Sequence, residues 1–437
     1  MNGLKDQVFQ RLRDLNEVRG KSIGNAVRSK HDAAHGCPLE RVRNPRSATG
    51  DIFPRYPVGM AIDLDHNATT PCLPEVWEAM RPWAVASWSN PASSHGAGRA
   101  ARRALEDSRE QIASLLGAWP DEVVFTSGAT EANAMALAGI GSGDRVAASD
   151  LDHPSIRENL TVAESRGARV SRLPRADRGI INPRDWAALC PEAPNLQVAT
   201  LAGHETGAVQ DMPALIDASR RRFGEAGAWH IDATQAAGKI PVDFHRLEVS
   251  TLSFSAHKFF GPKGVGALLV RRGVSLPPLF VGGGQQRGRR SGTEAVYLAV
   301  GMAKALRMAV DGMADRQNAC SGLRERFLSG LSPCKPWEIL GPLEGGLDHV
   351  LLIAFPGVRS DMALMALDLE GISCSAGAAC SSGSSLPSPA LALIGLPEEH
   401  RRSVIRFSLG PFLNPEEVSM AGSRVANTIA RLRGPHA

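Results

Sequence analysis

The chain has no apolar run of about 18 residues or more and no apolar N-terminal core of the signal-peptide kind, so neither a membrane span nor a secretion signal is expected. It has no long basic run, and a net charge of +4 is too small to point to nucleic acid. The seven cysteines (Cys37, Cys72, Cys190, Cys320, Cys334, Cys374 and Cys380) are scattered and odd in number, and no two stand as Cys-x-x-Cys. That spacing argues against a disulfide framework or a metal site and fits a reducing, cytoplasmic compartment. Internal repeats and low-complexity tails are missing as well. The run Gly139-Ile-Gly-Ser-Gly143 follows a helical pattern rather than a strand, so it reads as a helix stop and not as a dinucleotide fingerprint.

What is present suits a two-lobed globular protein: 437 residues, 43% hydrophobic and 22% charged. Residues 1–58 read as a separate extension. In it Leu4, Val8, Leu12 and Leu15 recur at helical spacing and predict an amphipathic helix, while Asp6, Asp14 and Glu17 argue against a transit peptide. Residues 59–315 alternate strand and helix, and residues 316–437 read as a smaller α+β lobe. The first residues of the larger lobe are expected to pack with that smaller one.

Five apolar strands between residues 122 and 258 each end in residues capable of chemistry. The first leads to Thr126-Ser-Gly-Ala-Thr-Glu131, the next to His153 and the third to His204 and Glu205. The fourth ends at Asp232 with Gln235 beyond it, and the fifth at Ser255, His257 and Lys258. In a mostly parallel α/β sheet such ends line one ligand crevice. Thr126–Glu131 reads either as a phosphate cradle at a helix start or as an ordinary capping box. A lysine at a buried strand end has its ammonium destabilised, which suits an amine that forms a Schiff base. On residues alone, however, Lys258 reaching water and Lys263 as its rival both remain open. Asp232 would be a costly buried charge unless it faced a cationic partner. Cys380 lies among Ser, Gly and Ala and reads either as a reactive thiol on an exposed loop or as an incidental surface thiol. Cys374, nearer an apolar run, reads as structural.

Together these stretches resemble the cysteine desulfurases, pyridoxal-phosphate enzymes of the class V aminotransferase superfamily. The resemblance runs from about residue 62 to residue 432. It is carried by Leu64-Asp-His-Asn-Ala-Thr-Thr-Pro71, Asn90-Pro-Ala-Ser-Ser-His-Gly-Ala-Gly-Arg99, Phe125-Thr-Ser-Gly-Ala-Thr-Glu131 and His230-Ile-Asp-Ala-Thr-Gln-Ala-Ala-Gly-Lys239. Further on it rests on Ser253-Phe-Ser-Ala-His-Lys258, Gly282-Gly-Gly-Gln-Gln-Arg-Gly-Arg-Arg-Ser-Gly-Thr-Glu294, Ser375-Ala-Gly-Ala-Ala-Cys-Ser-Ser-Gly383 and Ile405-Arg-Phe-Ser-Leu-Gly410. The loop around Cys380 resembles that of the iron–sulfur and nitrogen-fixation type.

The resemblance implies an α/β fold of fold-type I, with a mostly parallel seven-stranded sheet in the large domain and a smaller α+β domain. It implies pyridoxal 5′-phosphate on Lys258, His153 stacked on its ring, Asp232 at the pyridinium nitrogen and Gln235 at the phenolic oxygen. Ala129, Thr130, Ser255 and His257 then hold the phosphate. Thr293 is donated from the neighbouring subunit, which implies a homodimer with shared sites. Asn67 and Arg406 take the carboxylate of L-cysteine, and Cys380 receives the sulfur as a persulfide for an acceptor protein. His204 stands where the family usually has Asn, and Pro411 replaces an Arg after Gly410. His204 keeps another class V reaction (aminotransferase, selenocysteine lyase or β-elimination) in view, and a second alternative is a weakly active sulfur-relay subunit that docks through the N-terminal helix.

Overall fold

Period-2 alternation along buried strands sets the layering of this protein. A computed structural model describes residues 61–434 except Ala226 and residues 377–386. The predicted N-terminal helix and Cys380 therefore lie outside the described residues. β1 (Ile62–Asp63) stands apart from the main sheet. The seven strands of that sheet are β2 (Val123–Thr126), β3 (Arg145–Ala148), β4 (Arg169–Arg172), β5 (Leu196–Thr200), β6 (Ala228–Asp232), β7 (Thr251–Ser255) and β8 (Gly266–Val270). Their order is β2-β8-β7-β6-β5-β3-β4, and only β8 runs antiparallel to its neighbours. This is the mostly parallel seven-stranded sheet the sequence implied.

Val123 and Phe125 point into one core, with Leu252 and Phe254 of β7 and with Leu105, Ile112 and Leu306 of the helices Gly96–Leu115 and Val296–Asp311. Val124, between them in β2, points the other way, toward Ala132 and Met135 of the helix Ala129–Leu137. A sheet covered by helices on both faces needs apolar residues at both parities. Polar side chains inside it therefore need a partner.

The smaller lobe has its own core. β9 (Glu338–Ile339), β10 (Val350–Ala354) and β12 (Val404–Ser408) form an antiparallel sheet in the order β12-β10-β9. The helices Met313–Leu331 and Pro415–Arg433 cover it, and Phe327 packs on Phe407 with ring centroids 4.9 Å apart. Each such fully buried aromatic contributes about 1.5–3 kcal/mol. β11 (Ile372–Ser373) pairs in parallel with β1, Ile62 opposite Ile372, and Leu64 belongs to this lobe's core. The chain after β1 thus spans both lobes and brings Asp65 and Asn67 to the large sheet's edge.

Candidate active site

The C-terminal ends of β2, β3, β5, β6 and β7 open on one cavity of about 730 Å³. It is lined by Asn67, Ala129, Thr130, His153, His204, Asp232, Gln235, Ser255, His257, Lys258 and Arg406. The structure thus brings together eleven of the expected site residues. Two are not among them. Cys380 lies outside the described residues, and Thr293 is exposed and lines a separate groove with Trp88 and Tyr297.

β7 runs buried to Ser255, and a short 3-10 turn, Ala256–Lys258, delivers the lysine. Lys258 Nζ donates to the carbonyls of Asn67 (2.6 Å) and Ala68 (2.9 Å). Burial first, and then the nearby Arg406 guanidinium, bring its pKa down to about 8. Lys263 also lines the cavity, but at its edge next to the glycine turn.

Asp232 ends β6 and is 3% exposed. Its Oδ1 accepts from the Thr234 amide (2.8 Å) and its Oδ2 from Asn133 Nδ2 (3.0 Å). Both donors are neutral amides, so neither supplies the positive charge that a buried carboxylate calls for. Asn133 also donates to Ser155 Oγ, while its Oδ1 accepts from Ser253 Oγ and lies 3.0 Å from His230 Nε2. His230 is held neutral, with burial bringing its pKa down to about 4. Asn133, His230, Ser253 and Ser155 were not foreseen from sequence. A signal was available: polar residues on inward-facing positions of central strands, and an Asn within an Ala-rich helix, must be partnered.

His153 caps the helix Pro154–Ser165, its Nδ1 accepting from the Ser155 amide at 3.1 Å. That places its proton on Nε2. Burial, followed by the neighbouring His204, brings its pKa down to about 4, so it is neutral. His153 thus caps a helix and lines the cavity at once. The His204 ring lies edge-on to His153 with centroids 5.3 Å apart, its Nε2 is 3.5 Å from Glu205 Oε1, and its backbone carbonyl accepts from Asn67 Nδ2 and Arg406.

At the opposite end of the cavity the helix Ala129–Leu137 starts at Gly128, with no side chain capping its first N–H groups. Glu131 accepts from the amide of Ser127, one residue before the Gly128 N-cap, so no capping box forms, and it pairs with Arg290 at 2.8 Å. The first turn is left open to an anion beside Ser255, His257 and Lys263. Arg406, on β12, gives one terminal nitrogen to the His204 carbonyl (3.0 Å) and the other to Asp65 (2.8 Å). Its buried Nε has no partner among the described residues.

Residues 62–420 match the family model for class V aminotransferases. The chain is 38% identical over 384 residues to the Escherichia coli cysteine desulfurase IscS, covering 86% of this chain and 94% of that one. Among solved structures, a NifS-like protein is 32% identical with a TM-score of 0.78, over 84% of this chain and 99% of that one. The structure described as SspA in complex with cysteine is 29% identical with a TM-score of 0.69, over 80% and 99% of the two chains. With the strand-end lysine, the buried aspartate and the open helix start already in place, the chain belongs to the class V aminotransferase family and, within it, to the cysteine desulfurases.

Proposed function

We propose that the cavity binds pyridoxal 5′-phosphate and converts L-cysteine to L-alanine, the sulfur passing to Cys380 as a persulfide for delivery to an acceptor protein. The observation that carries this reading is the convergence, at strand ends, of an amine of lowered pKa, a buried carboxylate and an uncapped helix start. The residues fit the cofactor. Thr130, Ser255, His257 and the first N–H groups after Gly128 suit its phosphate, Asp232 its pyridinium, Gln235 its phenolic oxygen and Lys258 its aldehyde. Bound there, it supplies an electron sink for the substrate's α-carbon.

Arg406, with an unpaired Nε and a carboxylate already held at Asp65, suits the substrate carboxylate, and Asn67 flanks it. The Lys258 amine, easily deprotonated near neutral pH, takes the α-proton. The Cys380 thiolate attacks the substrate sulfur, a sulfur–sulfur bond forms, and the Cβ–S bond breaks with its electron pair left on carbon. A proton added at that carbon completes alanine. His153, neutral and with its proton on Nε2, is the group placed to donate it. Ser375, on the cavity wall, pairs through its backbone with Arg406. From Ser375, a chain of five residues reaches roughly 17 Å when extended, which supports Cys380 as the sulfur acceptor.

The active unit in this reading is a homodimer, with Thr293 supplied by the neighbouring subunit. Its exposure outside its own chain's cavity, beside a groove of about 570 Å³ and the 76%-exposed Trp88, supports that. Residues 59–315 and 316–437 form the two domains, with residues 1–58 as an extension. No helix among the described residues is long and apolar enough to cross a membrane, which fits a cytoplasmic enzyme.

The test is anaerobic incubation of the cofactor-loaded protein with L-cysteine, quantifying alanine and protein-bound persulfide in wild type and Cys380→Ser. Equimolar products in wild type, both lost in the variant, are the expected outcome. Turnover without alanine, or activity indifferent to the substitution, would overturn the reading.

A further inference from the structure

Behind Lys258 lies a second cavity of about 400 Å³, with Lys239, Arg316, Cys320, His349 and the far side of Lys258 among its walls. The mechanism above uses none of the first four. A connected set of hydrogen bonds runs from this cavity to the first. Lys239 Nζ donates to Gln235 Oε1, and Gln235 Nε2 donates to the Asn67 carbonyl at 3.1 Å, the same carbonyl that holds Lys258.

Elementary donor and acceptor rules fix the orientation of each member. A lysine next to an amide in this way donates, so it selects the oxygen of Gln235 and turns the N–H₂ toward the substrate cavity. Asn67 gives its N–H₂ to the His204 carbonyl, so its Oδ1 is the atom 2.9 Å from His349 Nε2. His349 must then carry its proton on Nε2. That same nitrogen is 3.3 Å from Lys239 Nζ. With its one proton given to Asn67 Oδ1, that nitrogen has no lone pair left to accept from Lys239, so this contact does nothing to favour an ammonium there.

We propose that Lys239 is a positioning residue for the reaction, holding the Gln235 amide with its N–H₂ toward the cavity and tuning, through its own charge, the protonation of the nitrogen at Lys258. The proposal rests on the pyridoxal-phosphate reading of the first cavity and deepens it. The surroundings agree with the geometry. Burial first, and then the Lys258 cation, bring Lys239 to about 7, with Cys320 opposing and Arg406 adding to the lowering. Arg316 and Asp348 face the same cavity. His349 and His66 are held below the usual imidazole range by burial, and burial pushes the Cys320 thiol up to about 12. Lys239, with Lys258 beside it, thus changes charge near neutral pH.

The sign follows from charge alone: a cation at Lys239 disfavours a proton on its neighbour, and removing it favours one. The experiment is a pH titration of the visible absorbance of the holoenzyme reconstituted with pyridoxal phosphate, which reports the protonation of the nitrogen the cofactor shares with Lys258. Lys239→Met moves the midpoint up by about one unit, the size of one charge acting through a partly hydrated interior. Lys239→Arg, which keeps the donor and never loses its charge, moves the midpoint down and retains cofactor stoichiometry. Midpoints that coincide with wild type in the arginine variant, or in a methionine variant that binds cofactor, overturn the proposal while leaving the function standing. If wild-type protein forms no visible band with the cofactor, it is the functional reading that fails.

Discussion

Arg406 is 5% exposed, each of its terminal nitrogens donates one hydrogen bond, and its Nε has no partner among the described residues. A buried guanidinium with a spare donor at a cavity wall is suited to a carboxylate, and a hydrogen bond to a charged group contributes about 1.5–3 kcal/mol. Arg406→Ala should therefore raise KM for L-cysteine by roughly 10- to 150-fold while cofactor content stays at the wild-type level. Arg406→Lys should recover little of that, because lysine lacks the planar fork. Steady-state kinetics on protein of known cofactor content decide the matter; an unchanged KM in the alanine variant removes Arg406 from the substrate site. At this scale the sequence was informative about Lys258, Asp232 and His153, whose positions at strand ends already set their surroundings. It was uninformative about Asn133, Lys239 and His349. Their importance comes from partners 99, 4 and 282 residues away in the chain: Asp232, Gln235 and Asn67.

Among the elements, the start of the helix Ala129–Leu137 depends on a close backbone approach. A Cβ at Gly266 on β8 would stand 2.7 Å from the Gly128 backbone and 2.7 Å from the Phe254 carbonyl. Neither is a flexible side chain that can give way. Gly266→Ala should push the helix start off the sheet edge, costing about 1–3 kcal/mol of stability by overpacking and weakening the anion cradle. Thermal unfolding of apoprotein and holoprotein measures both effects. A wild-type melting temperature in the apoprotein together with unchanged cofactor retention would show that the approach is not needed. The apolar strands and helix starts were legible from alternation and capping residues, because these patterns are local. That Gly266 and Gly128 meet was not legible, since the contact exists only once β8 inserts antiparallel between β2 and β7.

For the whole molecule, the proposed homodimer makes each cavity depend on its neighbour. Thr293→Ala should lower cofactor affinity although Thr293 lies outside its own chain's cavity, and light scattering should report a dimer for both proteins. The decisive arm mixes Lys258→Ala chains with Thr293→Ala chains. Wild-type-like cofactor binding reappears at the heterodimer site built from the intact Lys258 of one chain and the intact Thr293 of the other. A monomer in solution, or a Thr293→Ala protein that binds cofactor as wild type does, rules out the shared site.

The sequence by itself determined the alternating α/β plan and the identity of the chemical groups, because hydrophobic alternation and strand-end polarity are properties of neighbouring residues, while the seven-stranded sheet was implied by the family resemblance. Tertiary structure alone decided how those groups are charged and aimed. Burial against distant elements lowers Lys258 and Lys239, holds His153 and His230 neutral, and leaves the Arg406 Nε and the helix start at Gly128 without side-chain partners among the described residues. Desolvation and hydrogen-bond partnership depend on what the fold places beside a group, and the neighbours along the chain do not specify it.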